Sequence, residues 1–413
     1  MRGTLLAWSV LGAVLASGTP AAAHVGEVPA GIDALGPGAP VVETSVGLLV
    51  PDGAVHRWVC HEAVVQSDFF LTPRYARSPD GVLMTALGLL DVGTDPRQSV
   101  YRSEDGGCTW AAPEGLTDRV VVDLALGPGD AGLAVTGRPP GDPEFPGNTI
   151  FVTDDGGGFW APSDVDHDPR TFRTVATSPD GATSWATSIR YTPPGAWIHR
   201  SVDGGETWQE SAHDFVLAGE RWTVLDVLLP HPDDPEAAWI RQAGEQGDRL
   251  YLATAGGATL EELVHLPGAD GLVHDAAWYR GDLFVAGSDG VLVFPEGRGS
   301  PSAWPGTGEP VRGLSVEGDV LHLVHGDVGG HVMTTLPAET FLDFSTVTWP
   351  PACAEDATAT VRCGPLWDDL AARLQPPPDP TPAPPDVPPP SDGCPAGPAA
   401  ALALLVPLGA RRP

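Results

Sequence analysis

The chain of 413 residues contains no lysine: its 22 basic residues are all arginine, set against 54 Asp and Glu for a formal net charge of −32. An acidic excess of that size repels phosphate at long range, which argues against nucleic acid and anionic lipid surfaces as partners. The excess reads as a solvated face rather than as a cation-binding one. Long apolar runs are missing as well, because the stretches at 5–16 and 395–410 fall short of the roughly 20 residues that span a bilayer. Tyrosine is scarce, with five copies. No Gly-x-Ser-x-Gly elbow is present, so nothing points to a serine nucleophile of the α/β-hydrolase kind. Cysteine also stands at five, in no spacing that suits zinc.

What is there begins at the two ends. Residues 1–23 run from Arg2 through a short apolar core to Ala21, Ala22 and Ala23, the order of a secretory signal, so the mature chain is expected to start near His24. Residues 376–392, "PPPDPTPAPPDVPPPSD", form a Pro-rich linker that cannot build a core and acts as an extended spacer. Residues 393–413 bring Gly393, Cys394, the apolar "PAGPAAALALLVPLGA" and then Arg411 and Arg412. This segment resembles the C-terminal sorting tails of myxobacterial and related surface proteins, with two arginines and two internal prolines as its departures. The resemblance makes Cys394 the anchoring point and the tail the route by which the protein meets a membrane.

Setting Cys394 aside leaves Cys60, Cys108, Cys353 and Cys363, an even set that suits an oxidising compartment. Four cysteines allow three pairings. The expectation is a short loop from Cys353 to Cys363 inside a C-terminal extension at 351–375, with Cys60 to Cys108 as the second bridge.

Between the ends, residues 24–350 repeat. "SVYRSEDGGCTW" (Ser99 to Trp110), "FVTDDGGGFW" (Phe151 to Trp160) and "HRSVDGGETW" (His199 to Trp208) share a Ser or Thr, an Asp two positions on, glycines and a closing Trp, at spacings of 50 and 48 residues between Ser103, Thr153 and Ser201. Worn copies stand at Leu48 to Trp58, Leu252 to Leu260, Val291 to Trp304 and Leu323 to Met333. In the same period, seven hairpin signals occur at Leu35, Arg77, Leu126, Thr177, Pro230, Tyr279 and Val316, where Pro and Gly preset tight turns. Short β-branched segments such as "RVVVDLAL" carry no helical period. Four short strands per unit at this spacing predict an all-β chain, a β-propeller of seven four-stranded blades, with six as the alternative count.

The Ser/Thr-x-Asp-x-Gly-x-Thr-Trp turn resembles the Asp box, or bacterial neuraminidase repeat, of sialidases, sortilin-type receptors, photosystem II assembly factors, some glucanases and many secreted propellers. In a turn of this kind Ser103, Asp105, Gly107, Thr109 and Trp110, with Thr153, Asp155, Gly157 and Trp160 and with Ser201, Asp203, Gly205, Thr207 and Trp208, are structural. The aspartates accept backbone N–H groups, the glycines take positive φ, and each tryptophan lies between blades.

Sites of chemistry are harder to find. The Arg-Ile-Pro signature of sialidases is missing, and "TPRYARSPDG" offers only Arg74 and Arg77. A glycoside hydrolase would need paired carboxylates across a cleft, one of raised pKa. Asp164, Asp166 and Asp168 superficially resemble the start of a calcium loop but have Pro169 where its glycine belongs; no other metal or cofactor is expected. Three histidines, His322, His325 and His331, fall in one unit without a ligand spacing. The expected function is therefore a monomeric, exported, surface-held binding or scaffolding module for a protein or glycan, with a glycoside hydrolase as the alternative. Its ligand is expected on loops such as Gly137 to Asn148 and Gly244 to Arg249.

Overall fold

A computed structural model describes residues 31–374 except 36–39, 54, 65–72, 92–96, 138–146, 167–169, 192–193, 214–222, 269–270, 305–309, 327–330, 338–339, 344–345 and 350–352. The signal-like 1–23, the linker 376–392 and the tail with Cys394 lie outside the described residues. Seven antiparallel sheets succeed one another along the chain, each with its strands paired in sequence order, and they form the blades of a propeller. They span 31–59, 74–103, 121–166, 171–213, 223–267, 273–303 and 311–343. Six are four-stranded; blade 2 has three strands, and the place of its fourth is held by the isolated bridge between Arg102 and Ala111.

All seven sequence-read hairpins connect the first and second strands of a blade. The inner strands are buried on both faces by neighbouring blades, which is why they read as near-continuous apolar runs. The second strand of blade 3, Gly132–Thr136, is buried at every position, whereas the outer strand of blade 4, Gln209–His213, is polar and largely exposed. The core is accordingly divided among the seams. One cluster joins Met84 and Val100 of blade 2 to Val121 and Phe151 of blade 3. Another joins Trp185 and Ile198 of blade 4 to Leu225 and Ile240 of blade 5. The most extended cluster lies where blades 7, 1 and 2 meet.

That last seam is closed from outside. Blades 1 and 7 are each built from consecutive strands, so neither end of the chain completes the other's sheet. Instead, Thr348 pairs in parallel with Arg57 on the outer strand of blade 1, its N–H donating to the His56 carbonyl at 3.1 Å and its carbonyl accepting the Trp58 N–H at 3.3 Å. The helix Thr358–Leu374 then packs Ala359, Cys363 and Leu370 into the seam, and Trp367 and Trp349 gather around Trp58. The disulfides correct the expected pairing: they join Cys60 to Cys363 and Cys108 to Cys353, across 303 and 245 residues. The returning extension separates its two cysteines between blades 1 and 2, so the short loop Cys353–Cys363 and the bridge Cys60–Cys108 do not form. Among the described residues no helix is long and apolar enough to cross a membrane.

Candidate functional site

Strands one and three of a blade run in the same direction, so the hairpins after strand one and the turns after strand three share one face of the ring. The Gly156 N–H donating to the Asp130 carbonyl at 2.8 Å shows the two sets touching. On this face the three Asp-Gly turns use up their own polar groups. The Ser103 hydroxyl donates to Asp105 Oδ1 at 2.8 Å and accepts the Gly107 N–H at 2.8 Å, while Asp105 accepts both the N–H and the hydroxyl of Thr109. Ser201, Asp203, Gly205 and Thr207 repeat the pattern. In the turn of Thr153 and Asp155 the threonine is replaced by Phe159, and the Gly158 N–H supplies the second hydrogen bond. Partial burial pulls Asp105 and Asp203 upward, but the hydrogen bonds from threonine and serine outweigh it and hold both below the usual carboxylate range. The Phe159 N–H does the same for Asp155.

Each closing tryptophan, Trp110, Trp160 and Trp208, donates its indole N–H to its own turn's glycine carbonyl and packs at a seam between blades. Gly157 shows why glycine is required there. Its φ is +85°, and a Cβ built on it would stand 2.4 Å from Met84 Sδ of the preceding blade. In the worn copies of blades 5 and 6, a Cβ on Gly257 or Gly297 would likewise stand 2.8 Å from Ile198 or 2.3 Å from Trp239 of the blade before. The segment Leu323 to Met333 does not occupy this place: it joins the second and third strands of blade 7. Two residues missed in the sequence complete the joint, Arg102 and Arg200, each immediately before a turn serine. Their Nε atoms donate to the Gly156 and Pro235 carbonyls of the next blade, at 2.7 and 2.6 Å. The repeated "RS" in front of two turns was the available signal.

The opposite face is built differently. The first strands of blades 3, 4 and 6 carry a bulge, between Val121 and Asp123, Phe172 and Thr174, and Val273 and Asp275. A bulge re-aims the side chains beside it, and here it turns the residue just past it toward the next blade. Asp123 accepts the Val175 N–H at 2.9 Å, Thr174 accepts the Val227 N–H at 2.7 Å, and Asp275 accepts the Leu314 N–H at 2.6 Å. These latches ring the start of the channel. The sequence held their signal in an Asp or Thr recurring three or four residues ahead of the first hairpin of a blade, at Asp123, Thr174 and Asp275.

At this end lies a cavity of about 360 Å³, lined from blades 2 to 6 by Arg74, Arg173 and Arg241, by Asp123, Asp226 and Asp275, and by aliphatic side chains. Arg74, the one arginine that "TPRYARSPDG" places on the channel, comes from the start of blade 2's first strand. Arg241 donates through Nε to the buried Asp248 at 2.8 Å, and Asp248 in turn accepts the Val273 N–H at 2.8 Å. Asp226 is less well served. Its carboxylate lies 3.6 Å from Arg173 and 3.9 Å from Arg241, and among the described residues Asp226 Oδ1 accepts no hydrogen bond and Arg173 Nε donates none. Burial pushes Asp123 up to about 6 against the Val175 N–H and the Arg74 charge, and raises Asp275 likewise. Glu43, buried in blade 1 with Arg74 as its neighbouring cation, is pushed up to about 8.

Of the expected site residues, Gly244 to Arg249 lies on this face, but as a tight hairpin rather than a long loop. Residues 138–146 of the other nominated loop lie outside the described residues. Asp164 is exposed on the last strand of blade 3, and the side chains of Asp166 and Asp168 are outside the described set. Among the described residues no three His, Cys, Asp or Glu are placed to hold a metal ion.

No family model matches the chain, and no curated protein does. Solved structures similar to it include one from a study of two prolyl endopeptidases, 18% identical over 78% of this chain at a TM-score of 0.49, of which this chain covers 48%. A Hadza microbial sialidase is 15% identical over 70% of this chain and 71% of its own, at 0.43. A protein described as YCF48 bound to D1 peptide is 14% identical over 62% of this chain and 90% of its own, at 0.31. These likenesses carry no activity across.

Proposed function

We propose that the protein is an exported, surface-held binding module without catalytic activity, whose ligand seat is the charged cavity at one end of the channel. The observation that supports this reading is the incomplete pairing of Asp226 and Arg173 in a cavity of about 360 Å³. Buried polar groups are normally satisfied, and the volume of the cavity falls in the range of small-ligand pockets, although its lining is more polar than theirs. Export is supported by the two disulfides and by the signal-like residues 1–23. Surface retention rests on the Pro-rich stalk and processing at Cys394. The Asp-Gly turns, read as Asp boxes, serve as joints between blades.

A glycoside hydrolase is the second reading, because Asp123 and Asp275 share the cavity and both are raised. Their oxygens are engaged, however: Asp275 accepts the Ala276 N–H on one and the Leu314 N–H on the other, at 2.7 and 2.6 Å. A carboxyl held by two N–H donors is stabilised as an acceptor and is poorly placed to deliver a proton. The test is ligand-induced thermal stabilisation of the exported full-length chain across sugars, organic acids, amines and amino acids, beside turnover of chromogenic glycosides. Stabilisation without turnover, lost in Arg173→Gln, is the expected result. Turnover, or silence across the whole set, overturns the reading.

A further inference from the structure

If the cavity is the ligand seat proposed for this protein, its charges restrict what can occupy it. Three arginines and three aspartates line it. A purely anionic guest would meet Asp226, and a purely cationic one would meet the guanidinium groups. A neutral polyol would find no Trp, Tyr or Phe among the lining residues on which to lay a sugar face. The unsatisfied atoms carry both signs: Asp226 Oδ1 is an acceptor without a donor, and Arg173 Nε a donor without an acceptor, among the described residues. Asp226 is nine-tenths buried. The Arg173 to Asp226 separation of 3.6 Å and the Arg241 to Asp226 separation of 3.9 Å are both too long for a direct hydrogen bond. Opposite charges that stand side by side without closing on one another suit a guest whose own opposite charges also stand side by side. Leu87, Val227 and Leu228 also line the cavity.

We infer that the channel cavity binds a small zwitterion of the α-amino acid class, its ammonium group donating to Asp226, its carboxylate accepting from Arg173 and its side chain lying against the aliphatic residues that line the cavity. Arg241 stays committed to Asp248, with its other nitrogen 3.9 Å from Asp226.

The experiment is calorimetric titration of the exported full-length chain at pH 7 with four probes: L-valine, 2-hydroxyisovalerate, isobutylamine and D-glucose. The second keeps valine's carboxylate and lacks its ammonium, the third does the reverse, and the fourth is a neutral polyol. Valine is expected to bind at least tenfold more tightly than any other probe. Arg173→Gln and Asp226→Asn should each weaken valine at least tenfold, and Asp226→Asn should strengthen 2-hydroxyisovalerate by removing a like charge. If Asp226→Asn fails to fold, as judged by its unfolding transition, Asp226→Glu replaces it and should still bind valine more weakly than the native chain. Equal binding of valine and either single-charge probe overturns the inference, as does binding of glucose alone; in both cases the binding-module reading survives. Silence of valine overturns it too, and whether the wider thermal screen is also silent then decides the fate of that reading.

Discussion

The two ends of the same strands follow opposite rules. At the end with the Asp-Gly turns, the side-chain polar groups of Ser103, Asp105 and Thr109 are answered within the turn, and the aspartates sit below the usual carboxylate range. At the other end Asp123 is pushed up by burial and Asp226 is left partly unanswered. Satisfied groups hold blades together, whereas unsatisfied ones are available to something else. One repeat unit can therefore carry structure at one end and recognition at the other.

The contrast breaks most visibly at the seam tryptophans. Trp160→Ala should cost about 4 kcal/mol, the order expected for removing a fully buried Trp, measured by chemical unfolding, while whatever folded protein remains binds ligand normally. Replacing Cys60 and Cys363 together with Ser should cost about 3 kcal/mol, since the bridge closes a very long loop; a loss under about 1 kcal/mol would show that the helix holds the seam unaided.

Acidity separates the two faces by sign. Glu43 and Asp123 bind protons more tightly folded than unfolded, so their contribution is complete at low pH and is lost as pH rises, through about 6 for Asp123 and about 8 for Glu43. The turn aspartates act in the other direction: what they contribute is present above the ordinary carboxylate range and is lost as pH falls through their depressed values. Glu43→Gln should therefore stabilise the protein by about 4 kcal/mol at pH 8 and by nothing at pH 4, read from unfolding transitions at each pH. A gain that does not change with pH would refute the assignment.

The smaller effects sharpen the comparison. Asp203→Ala should cost about 1 kcal/mol, because it leaves the Ser201 hydroxyl and the Thr207 N–H without their acceptor. Asp226→Asn should cost less than that, because Oδ1 accepts no hydrogen bond that the substitution could remove and Arg241 keeps its bond to Asp248. Similar stability losses for the two would erase the distinction between the faces.

The sequence made one face legible and not the other. Asp105, Gly107 and Trp110 act within a few residues of one another, so their chemistry appears as a local pattern, and the Pro-Gly hairpins are local in the same way. The cavity draws Arg74, Arg173 and Asp226 from three different blades, and no spacing in the chain records that meeting. The bulges that aim Asp123 and Asp275 are register events, invisible without the pairing. The disulfides were misread because the extension was treated as an appendage. In the fold it crosses two blades, so its nearest cysteine in sequence is not its nearest in space.

The outside stitch has a consequence for how the molecule comes into being. In a chain that emerges from its N-terminus, blade 1 is complete long before Thr348, Cys353 and Cys363 arrive, and until they do it lacks both the Thr348 pairing and the disulfide that tie it to the C-terminal extension. Ring closure thus comes last, and a chain cut short before that point leaves Cys60 and Cys108 without the partners that they have in the complete fold.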